Sequence, residues 1–286
     1  MGTYENCYDI IADVRRDVNE YSEAYVQGAD DSGSFSNELI TQKINLAQAY
    51  LYNIIYKRIP WKFRKTVSLT GVDSVYTLPA DFGALEWFKD DNGYQVYPIG
   101  AKDKSPTGIT QQQYYRTGNT LVLDKSGITK TFTLIYKWKP RKIFSGKATA
   151  GAATSITFPT DASKVADFYN DMVIENITQD WVDTITDYSA ARVATIAETA
   201  AKDDYFGLVS DLPEVFHHLL APRASMLLRA SSPLAQKKVD KAEITLFQED
   251  LIETMRAYAG TKEDVDPMET FTDLDSFGPP SGIVQI

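Results

Sequence analysis

The apolar positions of the first sixty residues recur at three- and four-residue steps. From Tyr4 to Gln27 the residues Ile11, Val14, Val18, Tyr21 and Tyr25 share one face, which predicts an amphipathic helix. Gly28 to Ser34 breaks the pattern with turn-forming residues, and Ser36 stands where a helix N-cap belongs. A second helix is predicted from Asn37 to Ile59, carried by Leu39, Ile40, Ile44, Ala47, Leu51, Ile54 and Ile55 and ended by Pro60. At Trp61-Lys62-Phe63-Arg64 the period drops toward two. Val67 and Leu69, then Val75, Tyr76 and Leu78, read as strand, turn, strand around Thr70-Gly71-Val72-Asp73. Leu85–Phe88, Tyr94–Tyr97, Thr120–Leu123 and Thr131–Tyr136 extend a β-rich region with turn signals at Asp91-Asn92-Gly93 and Gly118-Asn119.

A small-residue run, Ala148 to Ala153, reads as a linker into a second β module. Its strand-like runs are Ser155–Phe158, Met172–Ile177, Val182–Thr186 and Arg192–Ile196, with Asp187-Tyr188-Ser189 as a turn. Ile196 to Lys202 also has helical propensity, and both readings stay open. Helical spacing returns at Leu212-Pro213-Glu214, where Pro213 suits a first turn and Pro222 should kink or split the run. A long polar helix is expected from Ser231-Ser232-Pro233 to Gly260 on the stripe Val239, Ala242, Leu246, Leu251, Met255 and Tyr258. Thr261 to Ile286 has too little apolar content to fold alone. The expectation is an α+β protein: a helical bundle from residues 1–60 and 211–260, a β domain at 61–147, a second small β module at 148–210 and an extended tail at 261–286.

Composition narrows the function more than the fold. The formal net charge of -10 disfavours a reader that neutralises nucleic-acid phosphates through a basic surface, while an acidic surface suits a passage along which DNA must slide. Lys137 to Lys147 carries five basic residues among Trp138, Pro140 and Phe144; a solvated connection between sheets is preferred there over a nucleic-acid site. One cysteine, Cys7, cannot form an internal disulfide, which points to folding in a reducing cytoplasm. The first residues lack the basic-then-apolar pattern of an export signal, and no run approaches the length of a membrane helix.

The sequence offers no Gly-rich phosphate loop, no Gly-x-Ser-x-Gly elbow and no zinc-protease helix. His217 and His218 are adjacent, so on a helix they point about 100° apart and are poorly placed to share a metal. Asp90-Asp91 and Asp203-Asp204 fall at turns or segment ends and read as solvated carboxylates; Asn176-Ile177-Thr178 reads as a chance match to a glycosylation signal. No catalytic, cofactor or metal residue is therefore assigned. The 17 tyrosines and 13 phenylalanines suit strands and also interfaces between subunits.

Ile44-Asn45-Leu46-Ala47 through Trp61-Lys62-Phe63-Arg64, then Tyr76-Thr77-Leu78-Pro79-Ala80-Asp81-Phe82, resembles the opening of head-to-tail connector (adaptor) proteins of tailed bacteriophages. Leu212-Pro213-Glu214-Val215-Phe216-His217 and the helix after it resemble the return of those proteins to their helices. A second resemblance, to a β module of phage structural proteins, rests on Ala153–Thr157, Asp167–Ile174, Thr184–Tyr188 and Arg192–Thr195; it departs from the pattern at Thr178-Gln179-Asp180-Trp181, where a glycine-rich turn is usual. The resemblance implies a virion neck protein whose copies form a homo-oligomeric, dodecameric ring. Such a ring docks on the portal protein, receives tail or nozzle proteins, and passes DNA through its lumen without specific binding. It also implies that the C-terminal segment reaches the portal, a role that falls here to Phe271, Phe277, Ile283, Val284 and Ile286. The rival expectations are a tail-tube, tail-completion or decoration protein, a cell-wall-degrading tail component, or a carbohydrate-binding module within residues 148–205.

Overall fold

The computed structural model describes residues 5–28, 33–99, 113–124, 130–231 and 238–259, and it is a mixed α+β fold with several sheets. Its helices are α1 (Cys7–Asp17), α2 (Glu23–Val26), α3 (Asn37–Arg58), α4 (Leu220–Ser231) and α5 (Lys241–Ala259), with 3-10 turns at Pro60–Phe63 and Glu214–Leu219.

The continuous helix expected from Tyr4 to Gln27 is two helices. Asn19 adopts φ +60°, the Asn19 N–H donates to the Arg16 carbonyl and the Glu20 N–H to the Arg15 carbonyl, so an asparagine in the left-handed position closes α1 as glycine usually does. At its start, the buried Asn6 side chain accepts from the Tyr8 and Asp9 N–H groups and caps the helix. The second helix is as expected: the Ser36 hydroxyl accepts from the Leu39 N–H, and Ile40, Ile44, Ala47, Leu51 and Ile55 form the buried stripe. α1, α3 and α4 pack on one another. Pro222 falls in the first turn of α4, and the chain before it is 3-10, so the expected split comes just ahead of the proline.

The long C-terminal helix begins later than its polar stretch predicts. Asp240 is its cap, accepting from the Glu243 N–H at 2.8 Å, and residues 238–240 are not helical; Ser232 and Pro233 lie outside the described residues. α5 buries Phe247, Leu251 and Met255 and packs against the turn Glu214–Leu219.

The first β region holds β1 (Arg64–Thr70), β2 (Val75–Thr77), β3 (Phe82–Lys89), β4 (Tyr97–Pro98), β5 (Gln113–Thr117), β6 (Thr120–Leu123) and β7 (Thr131–Trp138). β1 and β2 are not a hairpin. β1 joins the sheet β1-β7-β3, whereas β2 joins β2-β6-β5-β4, because Val67 and Leu69 find partners sixty residues away on β7 instead of across the Gly71 turn. β7 buries Phe132, Leu134, Tyr136 and Trp138 in strict alternation. Its Trp138 end packs at a tilt against Phe63 (5.0 Å) and Tyr52 of α3, and its Phe132 end meets Tyr76 and Phe88 (5.0 Å each).

The second β region holds β8 (Ser145–Lys147), β9 (Ala150–Ala152), β10 (Ser155–Thr157), β11 (Val173–Asn176), β12 (Trp181–Thr184), β13 (Asp187–Tyr188), β14 (Val193–Thr195) and β15 (Tyr205–Leu208), in sheets β12-β11-β15-β8 and β13-β14-β10-β9. Half of the expected Ala148–Ala153 linker, Ala150–Ala152, is instead a strand paired with β10; Tyr188 lies on a strand and not in a turn; and Ile196 to Lys202 is not helical. Between β11 and β12, Asp180 takes the left-handed position (φ +56°) and the Asn176 side chain accepts from the Gln179 N–H, which supplies the turn without glycine. Phe144, Phe158, Tyr169, Tyr188 and Phe206 form an aromatic core in which Phe158 and Phe206 stack at 4.8 Å.

Candidate interaction surfaces

The basic stretch Lys137 to Lys147 is solvated only in part: Lys139, Lys142 and Lys147 are exposed, but Arg141 is not. Arg141 is 8% exposed, and its guanidinium donates to both Asp211 carboxylate oxygens (2.9 and 2.8 Å) and to the Phe168 and Asn170 carbonyls. Burial opposes the charge of Arg141, but the hydrogen bonds and charge of Asp211 outweigh it and raise the pKa of the guanidinium. Lys137 pairs with Glu86 at 2.7 Å. From α3, Asn45 both donates to the Ile143 carbonyl and accepts from its N–H, while the buried Gln48 donates to the Arg141 carbonyl and accepts from the Ser210 hydroxyl. Residues 141–143 thus run along α3 as though α3 were a sheet edge, and they fasten the helices to both β regions. Charged composition reads as solvent exposure when its acidic partner lies seventy residues away.

The histidines diverge as their adjacency requires. His217 is 2% exposed with Nε2 2.7 Å from the Leu212 carbonyl, and His218 faces solvent with Asp250 at 3.4 Å. Burial lowers the pKa of His217, against the opposing influence of the Leu212 carbonyl and Glu214. The unfolded chain therefore binds a proton here before the folded one does, so this residue's contribution is full above about pH 6.5 and is lost as pH falls below it. The expected result is that wild type loses more stability than His217→Gln between pH 7.5 and 5.5 in urea unfolding; equal losses would remove His217 as the cause. The difference between the two proteins is the readout because Glu5 and Asp9, whose pKa values burial raises, act in the opposite direction in both.

Asp204 is also not a solvated carboxylate. It is 3% exposed and accepts from Asn176, Gln179 and the Ala201 N–H, while Asp203 at φ +74° makes the turn. Asn176 is wholly buried, its side-chain amide donating to Asp204. Cys7 is wholly buried as well, and burial pushes its thiol up to about 12. Among the described residues no three His, Cys, Asp or Glu side chains could hold a metal, and no helix is long and apolar enough to cross a membrane.

What the described surface offers is contact area. Trp61 on the 3-10 turn after α3, Trp87 on β3, and Tyr94 and Tyr97 beyond it are 41–74% exposed. A groove of about 620 Å³ opens between Lys62, Val215 and the α5 residues Asp250, Glu253, Thr254, Ala257 and Tyr258. Phe271, Phe277, Ile283, Val284 and Ile286 lie outside the described residues. Large exposed aromatics over a core closed by buried polar clamps fit a structural protein.

Comparison with known families gives this class a definite form. The model of the SU10 adaptor protein family matches residues 5–161, more than half of the chain, and the chain belongs to that family. It is accordingly a phage structural adaptor and a virion component, of a family that is generally non-enzymatic. No curated protein matches the sequence. The matched stretch ends within the second β region, just past β10, so α4, α5 and β11 to β15 fall beyond it.

Proposed function

We propose that this chain is one subunit of a dodecameric ring in the neck of a tailed phage, joining the portal protein to tail or nozzle proteins and letting DNA pass through its lumen. The observation that carries the reading is the adaptor-family match over residues 5–161, which spans α1 to β10. In this reading residues 1–60 and 211–260 form the helical part that packs laterally around the ring, the units at 61–147 and 148–210 project outward or toward the tail, and the first of them presents Trp61, Trp87, Tyr94 and Tyr97 to neighbours. The tail from Thr261 to Ile286 reaches the portal, with Phe271, Phe277, Ile283, Val284 and Ile286 as its apolar anchors.

The test is copurification with the portal ring. The full chain is expected to associate with it and a chain ending at Gly260 to lose that association. Association with tail proteins alone, and none with the portal, would replace the reading with that of a tail-completion protein.

A further inference from the structure

A strongly basic segment of this acidic chain sits beside the point where the described chain ends. Lys57, Arg58, Lys62, Arg64 and Lys65 fall within nine residues at the end of α3 and the start of β1. Arg64 is paired with Glu86 and Lys65 with Asp81, while Lys57 and Lys62 are exposed, and Trp61 between them is 50% exposed. The Lys62 ammonium lies 5.1 Å from the centre of the Tyr258 ring, one residue before the last residue of α5. The last helical turn of α5 therefore ends beside this basic, aromatic ridge. The groove at the same place has Val215, Ala257 and Tyr258 as an apolar lining, and at about 620 Å³ it is of the size that receives bulky side chains.

The residues that follow have the complementary character. From Gly260 to Ile286 there are six carboxylates (Glu263, Asp264, Asp266, Glu269, Asp273 and Asp275) and one lysine, with Phe271 and Phe277 among them. Phe271 comes twelve residues after Ala259, and a chain of that length reaches about 40 Å when extended, so the ridge is well within range. Asp250 and Glu253 make the α5 wall of the groove acidic, which steers carboxylates of the segment to the Lys57 and Lys62 side.

We infer that in the free subunit the acidic C-terminal segment of this chain docks on its own ridge at Lys57, Trp61 and Lys62, with its phenylalanines over the adjoining groove. Tethering sets an effective concentration of about 1 mM, so contacts too weak to hold a separate peptide still populate the docked state. The docked segment covers the exposed Trp61 until a partner competes for it. This contact goes beyond the adaptor reading and does not depend on it.

The experiment uses the full chain carrying Ser276→Cys labelled with an oxazine dye that tryptophan quenches on contact; Cys7, at 0% exposure, does not take the label. At low salt the dye is expected to be about threefold dimmer than in Trp61→Phe, and as bright in Lys57→Glu/Lys62→Glu as in Trp61→Phe. Brightness should also recover as salt shortens the screening length from about 30 Å at 0.01 M to about 3 Å at 1 M. Trp87→Phe, on β3, should leave the quenching unchanged. A dye indifferent to Trp61→Phe or to the charge reversals would overturn the inference, and quenching that grows with protein concentration would assign the contact to a second copy instead. Portal copurification reads separately from all of these outcomes.

Discussion

Arg141→Leu is expected to lower stability by about 3–5 kcal/mol, measured as the free energy of urea unfolding. The substitution removes a bidentate partner from Asp211, whose side chain is 15% exposed, and leaves its charge in a site built for an ion pair. It also takes donors from the Phe168 and Asn170 carbonyls, which lie in the second β region, while the backbone of residue 141 stays clamped by Gln48. The loss is thus concentrated at the meeting point of α3, the second β region and the chain leading to α4. Arg141→Leu/Asp211→Leu should recover part of it, because no unpaired charge remains. Arg141→Lys should fall between, since an ammonium keeps the charge but cannot fork. An unfolding midpoint unmoved by Arg141→Leu would show that the clamp contributes nothing.

Gly207→Ala is expected to cost about 2–4 kcal/mol, from overpacking and damage to the α1 cap together. A Cβ at this position would stand 2.4 Å from the Asn6 side-chain oxygen and 2.9 Å from the Tyr8 N–H nitrogen. β15 cannot move away, because Gly207 is opposite Glu175 on β11 and Ser145 on β8. Asn6 cannot move either without giving up its bonds to the Tyr8 and Asp9 N–H groups, to Asp9 and to Glu175. Asn6→Gly should therefore relieve Gly207→Ala, and the double variant should lose less than the two single losses added. Strict additivity would mean that the two sites are not in conflict.

Features that depend on near neighbours in the chain were legible before the fold was known. Ser36 and the α3 stripe needed only a helical period and a cap, and β7 needed only alternation. The resemblance carried by Tyr76 to Phe82 pointed to the adaptor class that the family match then showed. What was misread depends on distant partners. Val67 and Val75 look like two arms of a hairpin, and only the competing edge of β7 shows that they belong to different sheets. Arg141 looks like a surface residue until Asp211 is beside it. β5, β8 and β15 went unnoticed because Gly146, Gly207 and polar residues such as Gln113 and Arg116 dilute their β character, while pairing on their neighbours makes them strands. Asn6 does not stand out as a cap because a helical pattern that begins at Tyr4 places it inside the first turn, whereas α1 begins at Cys7.

The bridge between Asn6 and Val209 has a consequence for how the protein is made. α1 leaves the ribosome well before part of its packing surface: the surfaces that bury Cys7, Ile10 and Val14 include β15 and α4, which are translated about two hundred residues later. At typical synthesis rates of about 5–20 residues per second, the part of the α1 face that α3 does not cover stays open on the order of ten seconds or more. Burial of α1 is therefore completed only when the second half of the described chain has been made, so its packing is a late event of folding.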